Sequence, residues 1–368
     1  MSPPTYMIYK LLLSIRNARY RGGRHGSKAE VPAICVGNIT AGGTGKTPHT
    51  EMIVRTLLES ERWGNTNIAV LSRGYKRRSR GFQNLPFDAK ACLFGDEPVQ
   101  IKHKFNQLTV AVDKDRVEGC DILVHPEKAR QLKKCVAPDF PAADIIVLDD
   151  AYQYRKLIPS LSIVLSDYNR PVTTDSLLPA GRLRDLKSRL YDCDIVIVTK
   201  CPYELEDEEK AEAARTLGYE SYDPQSCMAT RKGRSQILLF SRMVYGRLEP
   251  VYPEADSRYT YSKKLVLFSG IADDTSLLKY LSDSYKIVEH LHFPDHHKYS
   301  RADANIFKAA MKRNPTAAFA TTEKDAVRLP DQPRIPAAMK ERLFCQPISV
   351  EFLSGREQEL FTKTITEL

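Results

Sequence analysis

Lys46 and Thr47 close the stretch Val36-Gly37-Asn38-Ile39-Thr40-Ala41-Gly42-Gly43-Thr44-Gly45-Lys46-Thr47, whose residue types and spacing suit the holding of a polyphosphate. Gly42, Gly43 and Gly45 let the backbone curl so that successive amides, that of Thr44 among them, face one anion. Lys46 adds a point charge, and the Thr47 hydroxyl is a donor of the kind that meets magnesium. The strict pattern G-x-x-x-x-G-K-[ST] is broken once, because Thr40 stands where the first glycine belongs. Farther along, Ile145-Ile146-Val147-Leu148 runs straight into Asp149 and Asp150, two carboxylates able to hold magnesium or its water opposite Thr47. Another acidic pair lies in Gly95-Asp96-Glu97-Pro98. Asp96 there reads either as a reacting carboxylate or as a helix N-cap.

These groups need a scaffold that delivers them to one edge. The apolar run Val31 to Val36 predicts a buried strand before the glycines, and Met52, Ile53, Val54, Leu57 and Leu58 recur at helical spacing after them. The helix dipole would then point at the phosphates. Further strands are expected at Ile68–Leu71, Ile145–Leu148, Leu161–Leu165 and Ile195–Val198, alternating with helices, which describes a doubly wound parallel sheet. Ligands of such sheets gather at the carboxyl ends of the strands. The basic residues Lys76, Arg77, Arg78 and Arg80, just past Ser72-Arg73-Gly74-Tyr75, either meet phosphate there or form a solvated loop.

With 368 residues the chain is long enough for two domains. Hydrophobic residues at 42% and charged ones at 27% exclude a disordered chain, and a net charge of +9 favours an anionic partner. The basic residues do not interleave with aromatics along any one stretch, so no nucleic-acid partner is expected. The eight cysteines contain no C-x-x-C pair, which argues against a zinc knuckle and for a reducing compartment. Residues 202–225 are acidic and alanine-rich, and the extended segments Gln236–Phe240 and Arg242–Tyr245 suit a connecting β-ribbon. A fresh unit of strand and helix begins near Lys263. The expected division is therefore 1–225, a linker at 226–262, and a smaller α/β domain at 263–368.

His290, His292, His296 and His297 cluster in that last unit. They could ligate zinc, but no cysteine or separate acidic pair completes a familiar pattern, and a single histidine in phosphate or proton chemistry is favoured. At the other end, Met7, Ile8, Leu11, Leu12 and Ile15 share a helical face, with Lys10, Arg16, Arg19, Arg21 and Arg24 nearby. Such a helix, over residues 6–24, either lies in a lipid headgroup plane or packs on its own domain. No apolar run approaches the roughly 20 residues needed to cross a bilayer.

Taken together, GNITAGGTGKTP (37–48), SRGY (72–75), GDEP (95–98), DDAYQY (149–154), PAGRLRD (179–185), FSGIA (268–272), FPDH (293–296) and TEKDAVRL (322–329) resemble the tetraacyldisaccharide 4'-kinase family, the lipid A 4'-kinases. The resemblance implies a P-loop kinase core with a parallel sheet, a β-ribbon linker and a second smaller α/β domain. It implies ATP and magnesium as cofactors, and transfer of the γ-phosphoryl group to the 4'-hydroxyl of a tetraacylated glucosamine disaccharide 1-phosphate. It also implies a peripheral protein, expected as a monomer, on the cytoplasmic face of the bacterial inner membrane, held there partly by the N-terminal helix. Asp96 matches the family's base and His296 its partner in a dyad, so the second domain must close over the first if the two meet. Lys46 and Thr47 match the residues on the β- and γ-phosphates and magnesium, and Asp149 and Asp150 the acidic pair near the metal. The chain departs from the family at Ala151, Tyr152 and Tyr154, where Gly, Phe and His are usual, and at Asp185, where Glu is commoner. A competing reading is a membrane-associated P-loop ATPase switch of the partition type, although those place a lysine where Ala41 stands.

Overall fold

The computed structural model describes residues 3–20, 25–331 and 335–368. Seven strands, buried on both faces except for the ends of Arg234–Tyr245, line up in parallel in the order Arg234–Tyr245, Ile195–Thr199, Leu161–Asp167, Ala33–Gly37, Ile145–Asp149, Ile68–Ser72, Thr109–Val112. Burial on both faces explains why these segments read as unbroken Val, Ile and Leu runs. Chain order reverses beside Ala33–Gly37, which puts the glycine-rich stretch at the switch point of the sheet.

A second, five-stranded sheet carries Lys264–Ser269, Lys286–His292, Ala318–Thr322 and Leu343–Gln346 in parallel, with Glu249–Pro250 antiparallel at one edge. Its core holds Val266, Phe268, Phe307 and Phe319.

The junction differs from the ribbon expected at 226–262. Arg234–Tyr245 is one twelve-residue strand whose Ile237–Phe240 pair with Ile195–Val198 inside the large sheet. Its far half, Ser241–Tyr245, pairs with Ile348–Phe352 returning from the end of the chain. The helix Gly355–Thr366 then packs Phe361 and Ile365 with Ile53, Leu57 and Trp63. The last residues, expected within 263–368, thus complete the first core, because Phe352, Phe361 and Ile365 bury their apolar surface there.

The N-terminal helix, Pro3–Arg19, has two sides. Leu13 sits in the first core, the Tyr9 hydroxyl donates to Arg184 O at 3.2 Å, and Arg16 pairs with the fully buried Asp185 at 2.7 Å. Met7, Ile8, Leu11, Leu12 and Ile15 remain 57 to 67% exposed. Arg16 therefore faces the protein, as the packed reading of this helix has it and the headgroup reading does not, and Asp185 holds the helix. Arg21 and Arg24 lie outside the described residues. Among the described residues no helix is long and apolar enough to cross a membrane.

Candidate active site

The glycines adopt the conformation their type permits: Gly42 and Gly45 have φ of 85° and 81°, a region that strains residues bearing Cβ. Gly45 precedes the helix Lys46–Glu59, so the curl ends on free amides at a helix N-terminus. Side chains inside and outside the motif brace it. Asn38 Nδ2 donates to Thr44 Oγ1 at 2.6 Å, and Thr199 Oγ1 donates to Thr44 O at 3.1 Å. The buried His49 bridges Gly45 O at 2.7 Å and Ser241 Oγ at 3.0 Å. Burial lowers its pKa to about 4, so this imidazole is neutral.

The two carboxylates after Ile145–Leu148 occupy different surroundings. Asp149 is buried and accepts from Thr50 Oγ1 at 3.2 Å and Ser72 Oγ at 3.0 Å; burial, then the charge of Asp150, pushes its pKa up to about 6. Asp150, at φ 47°, faces outward to Arg184 Nη2 at 2.9 Å and Lys46 Nζ at 3.9 Å. Burial alone would raise Asp150, but Lys46 and then Arg184 outweigh it and hold the carboxyl below its ordinary range. Burial likewise lowers Lys46, with Asp150 opposing. Two carboxylates and the buried Thr47 hydroxyl form a sparse set of hard oxygen donors, which fits magnesium that takes its remaining ligands from phosphate and water.

Asp96 is the first residue of the helix Asp96–Lys104, and Gly95, not Asp96, occupies the N-cap position. The capping role is not realised; its carboxylate turns to the second domain. Asp96 Oδ2 lies 2.9 Å from His296 Nδ1, accepts from Arg328 Nε at 2.9 Å and forms an ion pair with Arg328 Nη2 at 2.7 Å, which also lies 3.3 Å from His296 Nδ1. Burial would raise the Asp96 pKa, but the His296 hydrogen bond and the Arg328 charge prevail, and it is lowered. Arg328 is itself fixed by Asp325 Oδ1 at 2.8 Å and Gly270 O at 2.9 Å. Residues on the same helix repeat the link: Glu97 accepts from Lys324 at 2.8 Å, and Lys104 joins Glu51 at 2.7 Å to Glu323 at 2.6 Å. The halves share one electrostatic environment, since the charge of Lys324 reaches Lys46 and that of Glu97 reaches Asp149.

Beside Asp96 opens a cleft lined by Tyr75, Lys76, Arg78, His296 and Lys298. The basic loop after Ile68–Ser72 is thus divided: Lys76 and Arg78 face this cleft, while Arg77 donates inward to Val112 O at 3.1 Å and Gly81 O at 2.7 Å. The four clustered histidines separate. His296 joins Asp96, His297 joins Asp303 at 3.0 Å, and His290 and His292 join Asp274. Tyr154, at the family's usual histidine, donates to Asp115 Oδ1 at 2.6 Å. Sequence reasoning gave no role to Arg184, Arg328, Asn38 or His49. Arg184 and Arg328 lie inside the matched stretches PAGRLRD and TEKDAVRL, a signal that could have found them.

A glycine-lined anion cradle at the switch point, an acidic strand end beside it and a second domain closing on a carboxylate define an α/β P-loop kinase. A family model described as LpxK, Tetraacyldisaccharide-1-P 4'-kinase, matches residues 3–367. The chain belongs to the tetraacyldisaccharide-1-P 4'-kinase family. It is 35% identical over 371 residues to the tetraacyldisaccharide 4'-kinase of Phocaeicola vulgatus, covering 99% of this chain and 93% of the relative. To that of Parabacteroides distasonis it is 40% identical over 347 residues, 91% of this chain and 86% of the relative. A crystal structure of LpxK from Aquifex aeolicus in complex with ATP shares the fold, with a TM-score of 0.70 at 23% identity over 99% of this chain and 97% of that one. A partition-type switch gains no support from these relatives.

Proposed function

We propose that the chain transfers the γ-phosphoryl group of ATP to the 4'-hydroxyl of a tetraacylated glucosamine disaccharide 1-phosphate. The observation that carries this reading is the meeting of Asp96 and His296, 200 positions apart, beside Glu97, whose charge reaches Asp149. The amides of Gly42 to Gly45 and the Lys46 ammonium bind the β- and γ-phosphates. Thr47, Asp149 and Asp150 would hold magnesium, which would supply positive charge to neutralise the transferring group. Asp96 takes the proton of the sugar hydroxyl as the 4'-oxygen bonds to phosphorus, the bond from phosphorus to the β–γ bridging oxygen breaks, and ADP leaves. His296 and Arg328 keep Asp96 ionised and aimed. The acceptor sugar enters the cleft at Tyr75, where Lys76, Arg78 and Lys298 suit its anionic headgroup. Closure of the second domain excludes water and suppresses ATP hydrolysis.

The exposed apolar face of Pro3–Arg19 lies in the cytoplasmic leaflet of the inner membrane, where the acyl chains of the substrate reside. Because Asp96 and His296 meet within one chain, the reading needs no second copy, and the protein is taken to act as a monomer. Purified protein given labelled ATP and the 4'-dephosphorylated lipid should label the lipid; ATP hydrolysis with no labelled lipid would refute the reading. Leu11→Glu with Ile15→Glu should lower recovery on anionic liposomes while leaving the fold intact, since both residues are exposed. Unchanged recovery would remove the membrane role of this helix.

A further inference from the structure

Asp274 precedes the helix Thr275–Ser284 at its N-cap position, yet its side chain makes no capping hydrogen bond. Its carboxylate turns away to the edge strand Lys286–His292. Residues 290 and 292 fall on one face of that strand, since side chains alternate. Three groups converge on one buried oxygen, Asp274 Oδ2: His290 Nε2 at 2.8 Å, His292 Nδ1 at 3.3 Å, and the hydroxyl of Ser269. One ligand atom from each of Asp274, His290 and His292 can be chosen so that all lie within 4.8 Å of one another.

As a purely hydrogen-bonded cluster this is crowded. Both imidazoles would have to carry their proton on the inward nitrogen, and three hydrogens would share one carboxylate oxygen. A cation at the centre removes that demand, because the two nitrogens then present lone pairs. Tetrahedral zinc with bonds of about 2.0–2.1 Å spaces its ligand atoms about 3.3 Å apart, a separation the His292 contact already has, while the 2.8 Å His290 contact would have to open to about that value on binding. The Ser269 hydroxyl, donating to Asp274, would orient the carboxylate from behind.

We propose that Asp274, His290 and His292 form a binding site for a divalent transition-metal ion such as zinc, with the fourth position left to water. Two imidazoles and one carboxylate select such an ion over magnesium, which prefers oxygen donors. The site is separate from the nucleotide cradle and needs no part of the kinase reading. It is nevertheless close in the chain to His296: Phe293 N donates to Ser269 O at 2.8 Å and His296 N to Gly270 O at 3.0 Å. A bound ion would tie the start of Thr275–Ser284 to the strand that leads into the His296 loop.

The test uses the full chain, stripped with chelator and titrated with zinc by calorimetry and with cobalt(II) by visible absorption, without nucleotide. One ion per chain is expected, with the absorption of a four-coordinate cobalt site. Replacing outer-shell partners typically costs about 10–100-fold in metal affinity, so losing a ligand in His292→Ala or Asp274→Asn should cost at least that much. His292 is half-exposed, so His292→Ala should fold, and its thermal melt without metal should match the parent. His125→Ala probes the other described group of metal-ligand types, Glu30, Asp121 and His125, and should leave the titration unchanged. Absence of binding, binding that survives both site variants, or binding lost with His125→Ala would overturn the proposal.

Discussion

The phosphate-holding half of the site takes its curl from a single run of backbone, Asn38 to Thr47, whose glycines and following helix turn amides toward an anion, with Thr199 and Ser241 only bracing it from outside. The proton-accepting half is assembled from Asp96, His296 and Arg328, which meet only because the second domain sits against the helix Asp96–Lys104. One half is local and the other exists only on closure. Nucleotide binding and acceptance of the sugar proton should therefore separate under mutation.

The largest effect is expected at Lys46, the one site cation that follows the glycines into the helix. Lys46→Ala should lower both ATP affinity and turnover, and the loss of turnover should exceed that of removing the base. Asp96→Asn comes next, with a fall in kcat of about 10²–10⁴-fold and little change in ATP binding by calorimetry. A parallel loss of ATP affinity in Asp96→Asn would show that the two halves are not separable.

Arg328→Gln sharpens the comparison through pH. Against burial, which raises it, Asp96 is held below its ordinary range by His296 and Arg328. A base with a lowered pKa stays ionised as pH falls, so the acid limb of kcat/KM in the parent should lie low. Without the guanidinium the carboxyl rises, and that limb should move to higher pH while activity at high pH falls less. An unmoved limb would mean that Asp96 does not titrate in the reaction.

Local patterns explain what was legible in the sequence. The parallel strands announced themselves because both faces are buried, and the cradle because glycines, lysine and threonine are adjacent. The bond between Asp96 and His296 was reachable only through the family resemblance, since no periodicity links residues 200 positions apart. Asp96 looked equally like an N-cap until the structure put Gly95 there. The return of Ile348–Phe352 and Gly355–Thr366 to the first core was hidden as well, because their amphipathic pattern says that a face is buried but not against what. Asp185 illustrates the same limit: this acidic residue, at a position where the family more often has Glu, holds Arg16 and Asn17 of the N-terminal helix.

The smallest effect concerns the seam between the halves. Glu51, on the cradle helix, and Glu323, in the second domain, share the single ammonium of Lys104. Burial first, against the opposing charge of Lys104, raises Glu51 to about 7 from 4.5. The native state then keeps a proton that the unfolded chain has lost, so stability falls as pH rises from 4.5 to about 7 and is level above. Glu51→Gln removes that slope and still presents its one oxygen to Lys104, while its amide nitrogen faces Gln100, whose own amide must turn over to accept it. Above pH 7 the variant should be more stable than the parent by on the order of 1–3 kcal/mol in denaturant unfolding, with the gap closing below 4.5. If the gap were the same at every pH, Glu51 would not be the group that titrates, and the seam would owe its pH response to Glu323.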